Sequence, residues 1–153
     1  MAFRDGKRAF LLADEVGLGK TRVALEVARQ LNFQFIVVAP LSTFTGWERE
    51  AKILGITNFC ITTYESMGKL PCGNKQLVIF DECHKLKSFR AKRHKIFLRI
   101  RAESKHLLFM SATPGQSPLD LKYLGDIIGF GQHEFWKFVN SFRGIFRNRW
   151  GGV

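Results

Sequence analysis

With 153 residues, 46% of them hydrophobic, the chain can bury one substantial core and is too short for two ordinary domains. Its formal charge of +11, from 24 Lys and Arg against 13 Asp and Glu, favours a polyanionic partner, nucleic acid ahead of an acidic membrane. No apolar run approaches the roughly 20 residues of a spanning helix, and the short apolar stretch after Lys7 soon meets Asp14 and Glu15, so a soluble intracellular protein is expected, cytoplasmic or, in a eukaryote, nuclear.

Short apolar runs alternate with stretches of helical period, the pattern of a parallel sheet with crossover helices. Ala9 to Ala13 is the first expected strand, followed by a helix over Lys20 to Leu31 that puts Val23, Val27 and Leu31, with Ala24 and Ala28, on one side. A strand at Phe35 to Ala39 precedes a shorter amphipathic helix at Thr45 to Leu54. Strands at Asn58 to Thr62 and Gln76 to Phe80, a helix at Lys92 to Arg101 and a strand at His106 to Met110 complete the alternation. The strand segments are rich in Val, Ile, Leu and Phe, as strands buried on both faces should be. Beyond them, Pro118 to Ile128 and His133 to Phe142 read as two helices with no following strand, broken at Gly129 and Gly131. Arg143 to Val153, with three arginines, Trp150 and a Gly-Gly pair, reads as a frayed end or the stub of a longer chain.

The segment Asp14-Glu15-Val16-Gly17-Leu18-Gly19-Lys20-Thr21 lies between an expected strand and an expected helix, the context of a phosphate-binding loop. Gly17 and Gly19 let the backbone curl so that successive N–H groups face phosphate oxygens, and the helix adds its positive end. Lys20 is placed to reach the β and γ phosphates, and Thr21 to offer its hydroxyl to magnesium, a cation that prefers oxygen ligands. The first position of the general motif is glycine, and this chain has Asp14. A plain Gly-rich turn opening a helix is the simpler alternative.

Gln76 to Phe80 runs directly into Asp81-Glu82-Cys83-His84, setting adjacent carboxylates at the C-terminal end of a strand, where open α/β sheets bind ligands. Asp81 suits magnesium, and Glu82 suits the orientation and deprotonation of an attacking water. The competing reading makes both acids caps of the element that follows. Cys83 is a half-buried filler rather than a nucleophile, because no His–Asn or His–Asp pairing is suggested. His84 is either a satisfied core residue or a coupling group. Ser111-Ala112-Thr113-Pro114 follows the last strand, and its hydroxyls at Ser111 and Thr113 can bond to the carboxylates or to His84. Cys60, Cys72 and Cys83 are odd in number, lack metal-ligand spacing, and read as reduced thiols.

Taken in order, DEVGLGKT, VVAPLSTFTGWERE, TTYES, VIFDECHKLKS and LLFMSATP resemble motifs I, Ia, Ib, II and III of superfamily-two helicases, and within them the Snf-type branch. The resemblance implies a three-layer RecA-like α/β fold with a mostly parallel central sheet, spanning residues 1–142, with 143–153 a basic tail or the start of a linker. It implies ATP hydrolysis with magnesium, and tracking along nucleic acid, double-stranded DNA in particular, without sequence specificity. By the same resemblance Pro40, Leu41, Ser42, Thr43, Thr63 and Tyr64 contact the strand through backbone N–H and hydroxyl groups. Lys20, Asp81 and Glu82 are then the catalytic set, with Asp14, Glu15, Gly17, Leu18, Gly19 and Thr21 around the nucleotide.

Departures from the family pattern shape the expectation further. Ser111-Ala112-Thr113 stands where the Snf-type branch has a Gly-Thr-Pro form, and no glutamine corresponds to the one that contacts adenine. Nothing resembles motifs IV to VI, whose arginine finger comes from a second RecA-like lobe and contributes about 10³ to 10⁵ in rate for related phosphoryl transfers. Such a lobe alone is expected to be slow. The alternatives are a non-catalytic module that binds nucleic acid or protein, and the motor lobe of a restriction-type enzyme. Lys85, Lys87, Arg90, Lys92, Arg93, Lys95, Arg99 and Arg101 crowd one acid-free stretch, either a phosphate-binding surface or the solvated face of a helix with Ile96, Phe97 and Ile100 inside.

Overall fold

The apolar run ending at Phe80 becomes the middle of a parallel sheet, and the rest of the architecture follows from covering both of its faces. The structure, a computed structural model, describes residues 8–70, 75–87, 92–115 and 118–124. In chain order these form β1 (Ala9–Leu12), α1 (Lys20–Gln30), β2 (Phe35–Val38), α2 (Phe44–Ile53), β3 (Phe59–Thr62), β4 (Lys75–Asp81), α3 (Lys92–Glu103) and β5 (Ser104–Met110). The strands pair in the order β1-β5-β4-β2-β3, every pair parallel, so the expected α/β class holds among the described residues.

Successive strand residues point to opposite faces, and β4 divides its side chains accordingly. Leu77 and Ile79 join Ala24, Leu25 and Ala28 of α1 and Trp47 and Ala51 of α2 in one core layer. Val78 and Phe80 join Tyr64, Met67, Leu86, Phe97 and Ile100 in the other. Phe80 is fully buried, its ring 5.4 Å from those of both Phe97 and Phe109. Burying side chains of this size contributes roughly 1.5–3 kcal/mol each, which makes this double layer the main source of stability. β1 and β3, at the ends of the strand order, are only partly covered, so the expectation of burial on both faces applies to β2, β4 and β5.

Both helices on the first layer stop by the same device. Asn32 adopts φ 51° after α1, with its N–H bonded to the Arg29 carbonyl and that of Phe33 to the Ala28 carbonyl. Gly55 adopts φ 67° after α2, with matching bonds from Gly55 to Lys52 and from Ile56 to Ala51. These pairs satisfy the last carbonyls and turn the chain back into the next strand.

Of the helix expected over Pro118 to Ile128, the described part, Pro118–Leu124, is a 3₁₀ segment, and residues 125–128 lie outside the described residues. Its three-residue repeat brings Leu121 and Leu124 to the same side, where both pack on the Phe80 layer. The expected helix at His133 to Phe142, the 143–153 tail, Cys72 and Arg90 lie outside the described residues.

Candidate functional site

Because all the strands run parallel, the segments that follow β1, β2, β3, β4 and β5 emerge at one sheet edge. Those segments, with Asp81 at the last position of β4, contain the candidate nucleotide-site residues.

After β1 the chain crosses an exposed loop and enters α1 at Lys20, with Gly19 at φ 74° and Gly17 at φ 85°. A β-carbon at either glycine would meet nothing within 4 Å, so backbone conformation rather than crowding demands glycine there. The Lys20 ammonium folds back to donate to the main-chain oxygens of Asp14 (2.8 Å) and Glu15 (2.7 Å). Asp14 and Glu15 therefore shape the loop through their carbonyls. α1 has no side-chain cap bond and no acid in its first turn, which leaves its N–H groups and positive end available to an anion. Thr21 is half-buried in that first turn.

The acids at the end of β4 sit in a different environment. Asp81 is only 7% exposed, its Oδ2 accepts a bond from Trp47 Nε1 at 3.0 Å, and its main-chain oxygen accepts one from the Tyr64 hydroxyl at 2.6 Å. Burial raises the Asp81 carboxyl above its ordinary value and the neighbouring Glu82 charge adds to this, while the Trp47 N–H and the Lys20 ammonium oppose it. The phosphate loop and the acid edge thus sense one another electrostatically.

Glu82 takes a left-handed conformation, φ 53° and ψ 51°, which ends the strand and starts a 3₁₀ turn at Cys83–Leu86. A non-glycine residue there carries strain of about 1–2 kcal/mol. Glu82 makes no side-chain cap bond to that turn, against the capping alternative. Its Oε2 lies 3.2 Å from His84 Nδ1 and accepts a 3.3 Å bond from the Ser111 hydroxyl, and His84 Nδ1 is itself 3.1 Å from Ser111 Oγ. Ser111 is fully buried, its Oγ accepting the Thr113 N–H at 3.1 Å. The Thr113 side chain is exposed, so Thr113 joins this cluster through its backbone. Cys83 is fully buried rather than half-buried, 3.2 Å from the Tyr123 hydroxyl. Burial pushes its thiol up to about 12, and a nucleophilic role has no support.

The segments after β2 and β3 are the candidate nucleic-acid contacts. Leu41–Thr43 form a 3₁₀ turn leading into α2, with Leu41 and Ser42 exposed and the Thr43 hydroxyl donating to the Pro40 oxygen at 2.9 Å. Thr63 Oγ1 accepts the Ser66 N–H at 3.2 Å. Tyr64 departs from expectation: it is 2% exposed and its hydroxyl is committed to Asp81, so its side chain does not face a bound strand. Desolvation of its ring favours that inward position.

On the opposite layer, α3 buries His94, Phe97 and Ile100. Two of its basic neighbourhood are used internally: Arg99 donates to the Gly68 and Leu70 carbonyls, and Lys87 lies 3.3 Å from Asp120. Lys85, Lys92 and Lys95 are exposed.

Sequence reasoning assigned no task to Trp47 or to Tyr123, whose hydroxyl donates to the Pro114 oxygen at 2.9 Å beside Cys83. The available signal was chemical, because a buried Trp N–H or Tyr O–H must find a partner.

Among the described residues no helix is long and apolar enough to cross a membrane. A curated relative from Caenorhabditis elegans, "SWI/SNF-related matrix-associated actin-dependent regulator of chromatin subfamily A-like protein 1 homolog", is 28% identical over 74% of this chain and 20% of its own length. "Helicase swr1" of Schizosaccharomyces pombe is 28% identical over 77% of this chain and 12% of its own. The chain therefore spans about a fifth or less of the length of these relatives. The solved "Sulfolobus solfataricus SWI2/SNF2 ATPase core in complex with dsDNA" matches with a TM-score of 0.70 at 22% identity, over 91% of this chain and 35% of that one, which shows a shared fold. The family model described as DEAD/DEAH box helicase matches residues 42–121, just over half of the chain, and on that match the chain belongs to this helicase family, its described residues forming a RecA-like α/β lobe.

Proposed function

We propose that the chain is the ATP-binding lobe of a nucleic-acid-dependent ATPase of helicase or double-stranded DNA translocase type, working with magnesium and a second RecA-like lobe. One observation carries the reading: a glycine-bent loop holding Lys20 shares a sheet edge with the buried Asp81 and the Glu82–His84–Ser111 cluster.

In this reading the Gly17, Leu18 and Gly19 main chain cradles the phosphates, while Asp14 and Glu15 keep the loop in shape through their carbonyls. Lys20 exchanges those carbonyls for β and γ phosphate oxygens, a swap favoured by the full negative charge of the new partners. The Thr21 hydroxyl and Asp81 are hard oxygen donors of the kind that hold magnesium, whose charge neutralises the phosphoryl group. Glu82 orients the attacking water and accepts its proton. His84 and Ser111 fix the Glu82 carboxylate, and through Thr113 they tie it to the segment after β5. Pro40, Leu41, Ser42, Thr43 and Thr63 meet the nucleic-acid backbone without reading bases. The net charge of +11 and the DNA-bound state of the Sulfolobus relative support double-stranded DNA as that partner.

Hydrolysis becomes fast when the second lobe adds an arginine across the cleft, a contribution of about 10³ to 10⁵. The test is magnesium–ATP binding by Lys20→Ala, expected to weaken by about 100-fold, since removing a charge-assisted phosphate contact is worth several kcal/mol. Unchanged affinity overturns the assignment. If the unaltered chain binds ATP but shows no DNA-stimulated hydrolysis with a second lobe added, the chain is a binding module.

A further inference from the structure

Asp81 is the only described acid at the sheet edge whose side chain and main chain are both held by residues from elsewhere in the chain, at sequence separations of 34 and 17. Resting on the nucleotide-site reading above, we propose that Trp47 is a positioning residue for magnesium binding, acting by fixing the plane of the Asp81 carboxylate.

Trp47 is 1% exposed and belongs to the core layer of Ala39, Ala51 and Ile79, so its indole has one place to sit. The indole N–H is a donor only, unable to exchange roles with its partner, and it points at Asp81 Oδ2 from 3.0 Å. Fixing one oxygen of a planar carboxyl group sets the direction of its remaining lone pairs. The Tyr64 hydroxyl, 2.6 Å from the Asp81 carbonyl oxygen, holds the main chain from the other core layer. The acid is therefore locked at its carboxylate by α2 and at its backbone by the segment after β3, before any cation arrives. A cation meeting a pre-aimed carboxylate need not order it, and this is what a supporting residue contributes to a metal site. A core tryptophan serving only as filler would need some partner for its N–H, but not a carboxylate at the end of the central strand.

The experiment measures binding of a fluorescent ATP analogue to the 153-residue chain as magnesium is titrated, for the unaltered chain, Trp47→Phe, Asp81→Asn and the double variant. Phenylalanine keeps most of the ring and removes the N–H. Trp47→Phe is expected to raise the half-saturating magnesium concentration by about ten-fold, the scale of a lost hydrogen bond to a charged group, with magnesium-free nucleotide affinity within about two-fold of the original. In the Asp81→Asn background the same substitution should add nothing. A shift of equal size in both backgrounds, or none with Asp81 present, overturns the proposal.

Should Trp47→Phe fail to fold, the unaltered chain carries the test. The indole N–H resonance of Trp47, told apart from those of Trp136 and Trp150 with Trp136→Phe and Trp150→Phe variants, should move when magnesium is added to the nucleotide-loaded protein. A resonance that stays in place refutes the role. If the chain binds no nucleotide with or without magnesium, the site reading itself falls, an outcome distinct from nucleotide binding that ignores Trp47.

Discussion

Residues 14–19 are all exposed, their backbone bends at left-handed glycines, and the Lys20 ammonium donates to the loop's own carbonyls at Asp14 and Glu15. Asp81, Cys83 and Ser111 are all buried, and their partners come from α2 and from the segments after β3, β4 and β5. The contrast follows the chemistry that the proposed function asks of each side. Phosphate is gripped by many weak, equivalent N–H groups, so a loop that settles around its ligand suffices. A metal-binding or water-activating carboxylate acts through one or two atoms, and an error of an ångström in their place is costly, so these are built into the most rigid part of the fold.

The largest effect that would break this contrast is loss of the rigid side. Phe80→Ala removes the ring that joins Phe97 and Phe109, and should destabilise the chain by about 3–5 kcal/mol in urea denaturation. Next comes Asp81→Asn, which keeps an acceptor for Trp47 but removes a buried charge. Because burial raises the Asp81 carboxyl, the folded chain favours its protonated form. Its contribution to stability is fullest below the ordinary value of 3.8 and falls as pH rises through the raised one. The variant should therefore melt at a higher temperature than the unaltered chain at pH 7, with the gap closing toward pH 4, while losing magnesium-dependent nucleotide binding. Melting curves at the two pH values decide the sign. The smallest effect is on the loop: Gly19→Ala, at φ 74°, should lower stability by about 1 kcal/mol while weakening nucleotide binding by at least ten-fold. A global loss comparable to that of Phe80→Ala would show that the loop is part of the rigid frame.

The same contrast governs what was legible in the amino-acid sequence. The loop is a local object, so glycines, lysine and threonine at close spacing declare it, and the adjacent acids after an apolar run declare their strand end. The central strands were readable because burial on both faces leaves continuous apolar runs at 35–38, 77–80 and 107–110. Strand order, register and the partners of Asp81 were not readable, since nothing near position 81 refers to Trp47 or Tyr64. The Tyr64 hydroxyl illustrates this: the family resemblance offers it to a nucleic-acid strand, and only the folded chain brings the Asp81 carbonyl to it. The start of β4 at Lys75 was missed similarly, because that lysine enters the sheet through an ion pair with Glu103 at 2.7 Å.

The place of β5 between β1 and β4 has a metric consequence. Adjacent strands stand about 4.8 Å apart, so one intervening strand spaces the origins of the Lys20 loop and the Asp81 edge by roughly 10 Å. That is a gauge wide enough for a chain of phosphates, and it is held by the hydrogen-bond ladder of the backbone rather than by any side chain. The segment that leaves β5 fills the interval with Ser111, which reaches Glu82 and His84 from the middle. Substitutions can empty or recharge this site, but its width changes only if the sheet is rebuilt.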